Sequence, residues 1–365
     1  MPVVYRVCVV NGIPAPSRPR QRAGALAAAV ALGGIGLSGC GAEAPTGSGG
    51  TAANGQQTLL LVSYAVTKSA YDRILPKFQA DWKRRTGQDL LVKASYGGSG
   101  SQARAVIDGL EADLVGLALS GDVLKIEQAG LIDKGWEQEL PNNSIITHSV
   151  VALLTREGNP KGIKTWSDLT KPGVSVVTAN PKTSGGARWN FLALWGSVTQ
   201  TGGGEAQAKA FVSKVYGAVE SLPKDAREAS DTFLNRKQGD VLLNYENEAF
   251  LAQKSGELKA PFLVPSPNIL IEGPIAVVDR NVDRHGTRKA AEALAAYLQS
   301  DPAQEIFAEE GFRPVSPSVW TKVKNRFTPV AKLFKVADFG GWAKVNKTFF
   351  GNDGLWDQLF RQARR

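Results

Sequence analysis

The sequence predicts an α/β protein made of two similar halves that face a common cleft, each a mainly parallel sheet flanked by helices. Three observations lead there. Short apolar runs alternate with helix-spaced segments, first over 58–118 and again over 149–254. Two loops of small residues, YGGSGS at 96–101 and NPKTSGGARWN at 180–190, each lie between an expected strand and an expected helix. The 365 residues are 43% hydrophobic, enough for a sizeable core, roughly one to three domains by length, and too apolar for a disordered chain.

Residues 58–64 (TLLLVSY) form the first expected strand, a short apolar run. Over 70–86, Tyr71, Ile74, Leu75, Phe78 and Trp82 share one face of a helix. A strand over 90–94, a helix over 102–110 and a strand over 112–118 complete a β-α-β-α-β unit. In the second half, 149–155 is a strand, 166–169 starts a short helical segment, and 174–178 is a strand running straight into the second glycine loop. Helices follow over 188–197 and 205–216, separated by a Gly202–Gly204 surface loop. A strand near Val219, a strand over 240–244 and a helix over 246–254 complete the second unit. A strand over 269–279, interrupted at Gly273-Pro274, and a helix over 287–299 return the chain to the first half. The expected lobes are therefore 58–150 with 268–365, and 151–267.

The chemistry is expected in the two loops. Gly97, Gly98, Gly185 and Gly186 let the backbone approach a bound group, Ser99 and Ser184 add hydroxyl donors, and the helix starts offer unpaired N–H groups. Such a site suits a small anion. Taken singly, each loop reads equally well as a tight strand-to-helix turn without a ligand. The net charge of +9 favours anionic partners; Arg6, Arg18, Arg20 and Arg22 precede Cys40, which leaves +5 for the rest. No dense Lys/Arg block interleaves with aromatics, so nucleic acid is not an expected partner. Trp189 and Trp195 read as core aromatics, and Arg361, Arg364 and Arg365 as a solvated helix end.

A serine hydrolase using Ser99 or Ser184 is the rival class. His148 and His285 are the only histidines, neither in a recognisable triad context, and GGSGS lacks the closing glycine of a nucleophile elbow. The scarcity of His and Cys also excludes a conventional zinc cluster, and no cofactor is expected. A sensory or adhesive lipoprotein with the same lobes is a third class.

The N-terminus sets the expected compartment. Arg18, Arg20 and Arg22 precede an apolar stretch over 23–37 and then Leu37-Ser38-Gly39-Cys40, which resembles a bacterial lipoprotein signal peptide. The expectation is a signal over 1–39, lipidation of Cys40, and a flexible tether over 40–57, rich in Gly, Ala, Thr and Ser; the alternative is ordinary secretory cleavage nearby, with Cys40 discarded or free. Since Cys8 lies in the leader, the exported domain has no disulfide.

YGGSG at 96–100, EAD at 111–113, KPGVS at 171–175, the loop at 180–190, DVLLNYENE at 240–248 and GGWA at 340–343 occur in order. This combination resembles the sulfate-binding proteins of bacterial ABC importers, over about residues 59–357. The resemblance implies a two-lobed periplasmic binding protein fold of type II, lobes joined by crossing strands, a monomer, and delivery of the ligand to a membrane permease. It implies a buried dianion held mainly by main-chain N–H groups, with Ser99 giving its N–H and hydroxyl. Ser184, Gly185 and Gly186 would form the second lobe's cradle, and Ala226 in the Asp225-Ala226-Arg227 turn another N–H. Gly98 and Arg188 would support the site, and Arg227 would sit behind it; for both arginines a structural salt bridge or a carbonyl cap is the other reading. Two positions depart from the family pattern, Ala65 where an aspartate is usual and Tyr245 where a tryptophan is usual. Ala65 keeps a main-chain N–H, whereas a phenol can donate or accept, so thiosulfate or another tetrahedral oxyanion is the alternative ligand. The loops contain no Asp or Glu, as a donor-only site for a proton-free dianion requires, and Glu246 is expected to point elsewhere.

Overall fold

The computed structural model describes residues 50–51 and 56–363. Cys40 and the expected leader lie outside the described residues. In the expected tether, Gly50–Thr51 (β1) is not free: it pairs antiparallel with Gln57 and Thr58 of the next strand.

Gln57–Tyr64 (β2) is an apolar strand buried along most of its length, and it leads through a short turn of 3-10 helix at Ala65–Thr67 into Lys68–Thr86 (α1). This helix buries Tyr71, Ile74, Leu75, Phe78 and Trp82, the face the periodicity marked. It ends at Gly87, whose φ of 75° lets its N–H reach back to Lys83 O at 2.8 Å. Leu90–Gly97 (β3), Ser99–Ile107 (α2), Leu114–Gly116 (β4) and Ser120–Gln128 (α3) follow. The third strand is shorter than expected, and α3 was not anticipated.

The strand expected over 149–155 is two strands in different sheets, Ile145–Ser149 (β5) and Val151–Thr155 (β6), because the chain crosses between lobes at Val150. After β6 come Val176–Val177 (β7), Gly185–Thr199 (α4), Glu205–Gly217 (α5), Val219–Ser221 (β8), Ala226–Leu234 (α6), Val241–Tyr245 (β9) and Glu246–Lys254 (α7). Helix α6 stands where only a turn was expected. The return runs through Asn268–Ile269 (β10) and Ile271–Val277 (β11), then Asp279–His285 (α8), Arg288–Leu298 (α9), Asp301–Glu309 (α10) and Pro317–Val323 (α11).

The first sheet runs β1-β2-β4-β11-β5 with β3 on β2, and the second β6-β9-β7-β8. Both are mixed. Strands β2, β3 and β4 pair in parallel, as do β7, β8 and β9, whereas β11 and β6, which lie next to the crossings, run antiparallel to their neighbours β4 and β9. The β11–β5 register shifts between Gly273 and Pro274, as expected where proline lacks a ladder donor. Asn268 ties the two crossings together: its side chain accepts from Val151 N at 3.1 Å and donates to Val151 O at 2.8 Å.

The C-terminal stretch corrects the expected division. Leu333–Phe334 (β12) pairs with β10, and the chain then passes over the second lobe through Gly341–Val345 (α12) and Leu355–Ala363 (α13). Phe349 and Phe350 pack on Phe191 of α4, and Trp356 packs edge-on against Tyr216 of α5. Residues 346–363 therefore belong with the second lobe, because its aromatic helix faces supply the apolar surface they need. Among the described residues no helix is long and apolar enough to cross a membrane.

His148 on β5 sits opposite Glu272 and exchanges main-chain bonds with Arg313. Burial, and then the charges of Lys335 and Arg313, push its pKa down to about 4. The folded chain thus takes up this proton less readily than the unfolded one. This contribution is complete above the ordinary histidine value and is lost as pH falls from about 6.5 towards 4. His148→Gln should flatten that part of the stability profile in urea titrations at successive pH values; an identical slope would contradict it.

Candidate functional site

Strand β3 ends in the first glycine loop and β7 leads into the second, so helices α2 and α4 start facing each other across the cleft. Helix α6 starts beside them. The first N–H groups of a helix have no intrahelical acceptor, and the aligned peptide dipoles place about half a positive charge there. The N–H groups of Ser99, Gly185, Gly186 and Ala226 occupy these positions. Ala65 heads the 3-10 turn after β2 and brings a further N–H.

All of these residues line one small cavity of about 180 Å³, together with Gly98, Ser184, Tyr245, Tyr64 and Ala118. The tight closure explains the glycines. A Cβ at Gly98 would lie 2.6 Å from Thr183 O, one at Gly185 2.6 Å from Ala118 Cβ, and one at Gly186 2.6 Å from Tyr245 Cε2. Gly100 N–H donates to Thr183 O at 3.0 Å and Trp189 Nε1 to Ala118 O at 2.8 Å, both across the cleft.

One side chain differs from expectation, and two arginines stand outside the cavity wall in ion pairs. The Ser99 hydroxyl is already committed: it donates to Asp122 Oδ2 at 2.8 Å and accepts from Ala118 N at 3.1 Å, so only the Ser99 N–H is offered to the cavity. Arg188 does not line the cavity. It forms a buried ion pair with Asp122 at 2.7 Å and donates from Nε to Pro181 O at 2.9 Å. Asp122, fully buried, is held below the usual carboxylate range: burial alone would raise it, but Arg188, Lys125 and the Ser99 hydroxyl outweigh that. Arg227 pairs with buried Glu248 at 2.7 Å.

The cavity also has one acid on its wall, contrary to the expectation of none. Asp225 is the N-cap of α6, and its Oδ1 accepts from Glu228 N at 2.9 Å, which turns the carboxylate into the helix's first turn. Glu246 lies elsewhere, paired bidentately with Arg313 at 2.6 and 2.9 Å.

Two hydroxyls remain. Ser184 Oγ accepts from Ala187 N at 3.3 Å, which leaves its proton free to donate. The Tyr245 hydroxyl is buried with no hydrogen-bond partner, and burial, reinforced by Tyr64 and Glu248, raises its pKa so that it stays a neutral O–H. A buried orphan donor costs stability unless a guest satisfies it. Asp122 was missed because α3 was missed. The signal lay in SGDVLKIEQ, where Val123 and Ile126 repeat at helical spacing behind small and acidic residues.

Ser99 and Ser184 have no histidine among their hydrogen-bond partners. His285 instead lies 2.9 Å from Asp113, the buried acid of the EAD motif, which also accepts from Leu60 N. The arrangement can hold a small acceptor and shows no nucleophile–base pair.

The family model described as bacterial extracellular solute-binding protein matches residues 59–313. A sulfate-binding protein of Synechococcus elongatus is 57% identical over 326 residues, 89% of this chain and 92% of the relative. A thiosulfate-binding protein of Pseudomonas aeruginosa is 41% identical over 85% of this chain and 94% of its own length. Among solved structures, the sulfate-binding protein of Mycobacterium tuberculosis superposes with a TM-score of 0.74 at 36% identity, covering 80% of this chain and 99% of that one. The order of the glycine loops, the interlobe cavity and these matches agree, and the chain belongs to the sulfate-binding protein family of bacterial extracellular solute-binding proteins.

Proposed function

We propose that this protein captures sulfate in the interlobe cavity, outside the cytoplasm, and hands it to the permease of an ABC importer. The observation that carries the reading is a small interlobe cavity offering main-chain N–H groups and two hydroxyls free to donate, with no Lys or Arg on its wall. Sulfate at neutral pH carries no proton and needs donors only. Hydrogen phosphate brings an O–H that a carboxylate acceptor would reward, and the one carboxylate here turns its Oδ1 to capping helix α6. The N–H groups of Ala65, Ser99, Gly185, Gly186 and Ala226 and the hydroxyls of Ser184 and Tyr245 hold the anion. Each bond to a charged group contributes about 1.5–3 kcal/mol net, and micromolar affinity needs about 8 kcal/mol, so such a set suffices without a cationic side chain. The named function of the relatives, binding rather than turnover, and the lack of a base beside either serine support a carrier that performs no chemistry.

Titration calorimetry with sulfate, thiosulfate and molybdate tests ligand identity. Sulfate should bind most tightly; a clear preference for thiosulfate would favour the other branch, to which Tyr245 as donor or acceptor lends itself. Tyr245→Phe and Ser184→Ala should each weaken binding by about 1–3 kcal/mol. Tyr245→Phe should not lower the stability of the ligand-free protein, since its hydroxyl has no protein partner. Ser184→Ala also loses a helix cap, which shows separately in ligand-free melting. Unchanged dissociation constants would remove these hydroxyls from the site.

The lobes, 58–150 with the return segment through α11, and 151–267 with residues 346–363, close about the crossings near Val150 and Asn268, and a monomer suffices for the cycle. Cys40 anchors the body to the membrane through a lipid. Labelled palmitate should enter the native chain in bacteria and not Cys40→Ser; equal labelling would refute the anchor.

A further inference from the structure

The GGWA turn lies outside the cavity, yet its place in the fold connects it to the site. Gly340 and Gly341 adopt φ of 86° and 82°, which starts α12 with Trp342 turned inward and buried. The turn rides on the second lobe. Trp342 stacks edge-on against Trp189 of α4 at 4.7 Å, Phe349 and Phe350 follow on Phe191, and Lys182 of the second glycine loop pairs with Asp357 at 2.6 Å. Across the cleft, α3 is rooted in the first lobe, with Val123 and Ile126 packed on Leu60, Val62 and Val115.

These two bodies meet at Gly121, in the first turn of α3. Asn346 Nδ2 donates to Gly121 O at 3.2 Å. A Cβ at Gly121 would lie 2.8 Å from that nitrogen and 3.0 Å from the Trp342 ring, so only glycine admits the contact. The next residue is Asp122, which binds the Ser99 hydroxyl and Arg188. Any opening about the crossings at Val150 and Asn268 separates α3 from the strap that carries Trp342.

We propose that Trp342 and Asn346 form a clasp on Gly121 that slows ligand release: they are positioning residues that hold the first turn of α3, and with it Asp122 and Ser99, in the closed arrangement. This rests on the reading of the cavity as the anion site. The clasp touches no ligand, so it acts on the rate of opening and leaves capture by the open form unaltered.

The test is a chase experiment on the native chain, Gly121→Ala, Asn346→Ala and Trp342→Phe, each preloaded with radiolabelled sulfate and diluted into excess unlabelled anion. Gly121→Ala and Asn346→Ala should release label about tenfold faster with an unchanged association rate, the usual locus of affinity differences. Trp342→Phe, which keeps an aromatic wedge, should fall between them and native. Ligand-free melting of Gly121→Ala should match native, which separates a lost clasp from a damaged lobe. Release at the native rate from both Gly121→Ala and Asn346→Ala would overturn the clasp. If the native chain retains labelled thiosulfate and not sulfate, the sulfate reading fails, and the same chase with thiosulfate decides the clasp.

Discussion

Gly186→Val is expected to weaken oxyanion binding by about a hundredfold or more, equivalent to about 3 kcal/mol or the loss of two charge-assisted donors. The reason is steric. A Cβ at Gly186 would stand 2.6 Å from Tyr245 Cε2 and 3.1 Å from both its Cζ and its hydroxyl. The ring has little room to retreat, because it is buried and packs on Tyr64 at 6.1 Å between centroids. The variant must therefore displace the Tyr245 hydroxyl, move the start of α4, or both, and each course spoils donors on the cavity wall. Overpacking also costs about 1–3 kcal/mol of stability, so binding is measured by calorimetry on protein shown folded by circular dichroism. An affinity within about threefold of native would mean that α4's first turn does not touch the guest, and the cradle would be wrong.

Glu246→Ala should destabilise the folded protein by about 3–5 kcal/mol, the cost of removing one partner of a buried pair. Glu246 is fully buried at the start of α7 and engages Arg313 Nε at 2.6 Å and a terminal guanidinium nitrogen at 2.9 Å. Burial raises its pKa, and Arg313 opposes that shift without cancelling it. Arg313 follows α10 in the return segment, donates to Thr328 O and lies over the Phe327 ring at 5.4 Å, so it cannot follow its charge into water without breaking those contacts. The urea midpoint of the ligand-free protein should fall sharply. Glu246→Gln, which keeps the shape and two polar atoms, should lose less. A midpoint within error of native for Glu246→Ala would show that Arg313 is solvated in its absence. The pair also explains why an acid adjoining Tyr245 adds no charge to the cavity: the side chain of residue 246 points away from its neighbour's into the return segment.

Much of the site was legible because its elements are local. Although Ser184 as the cap of a helix starting at 185 was not anticipated, the glycines at 98, 185 and 186 and the strand-to-helix turns are decided within a few residues by backbone sterics and unpaired N–H groups. The same is true of α1, whose apolar spacing is unbroken. Helix α6 was harder to read, since AREASDTFL mixes polar and apolar residues and its value lies in Ala226 and the Asp225 cap. The strand over 149–155 was legible as extended chain and illegible as two strands, because nothing in SVVALLT marks where one sheet ends and the next begins.

The two α/β units, the two glycine loops at the ends of strands and the family could be read along the chain, because periodicity, turn chemistry and ordered motifs are properties of neighbouring residues. Which groups remain available to a guest depends on how distant segments meet in the fold. Ser99 spends its hydroxyl on Asp122, 23 residues away, Arg188 spends its charge on the same carboxylate 66 residues away, and Tyr245 is left with an unclaimed O–H. A donor's partner is chosen by distance in space among segments far apart in the chain, and a hydrogen bond made in one place is one that cannot be offered in another.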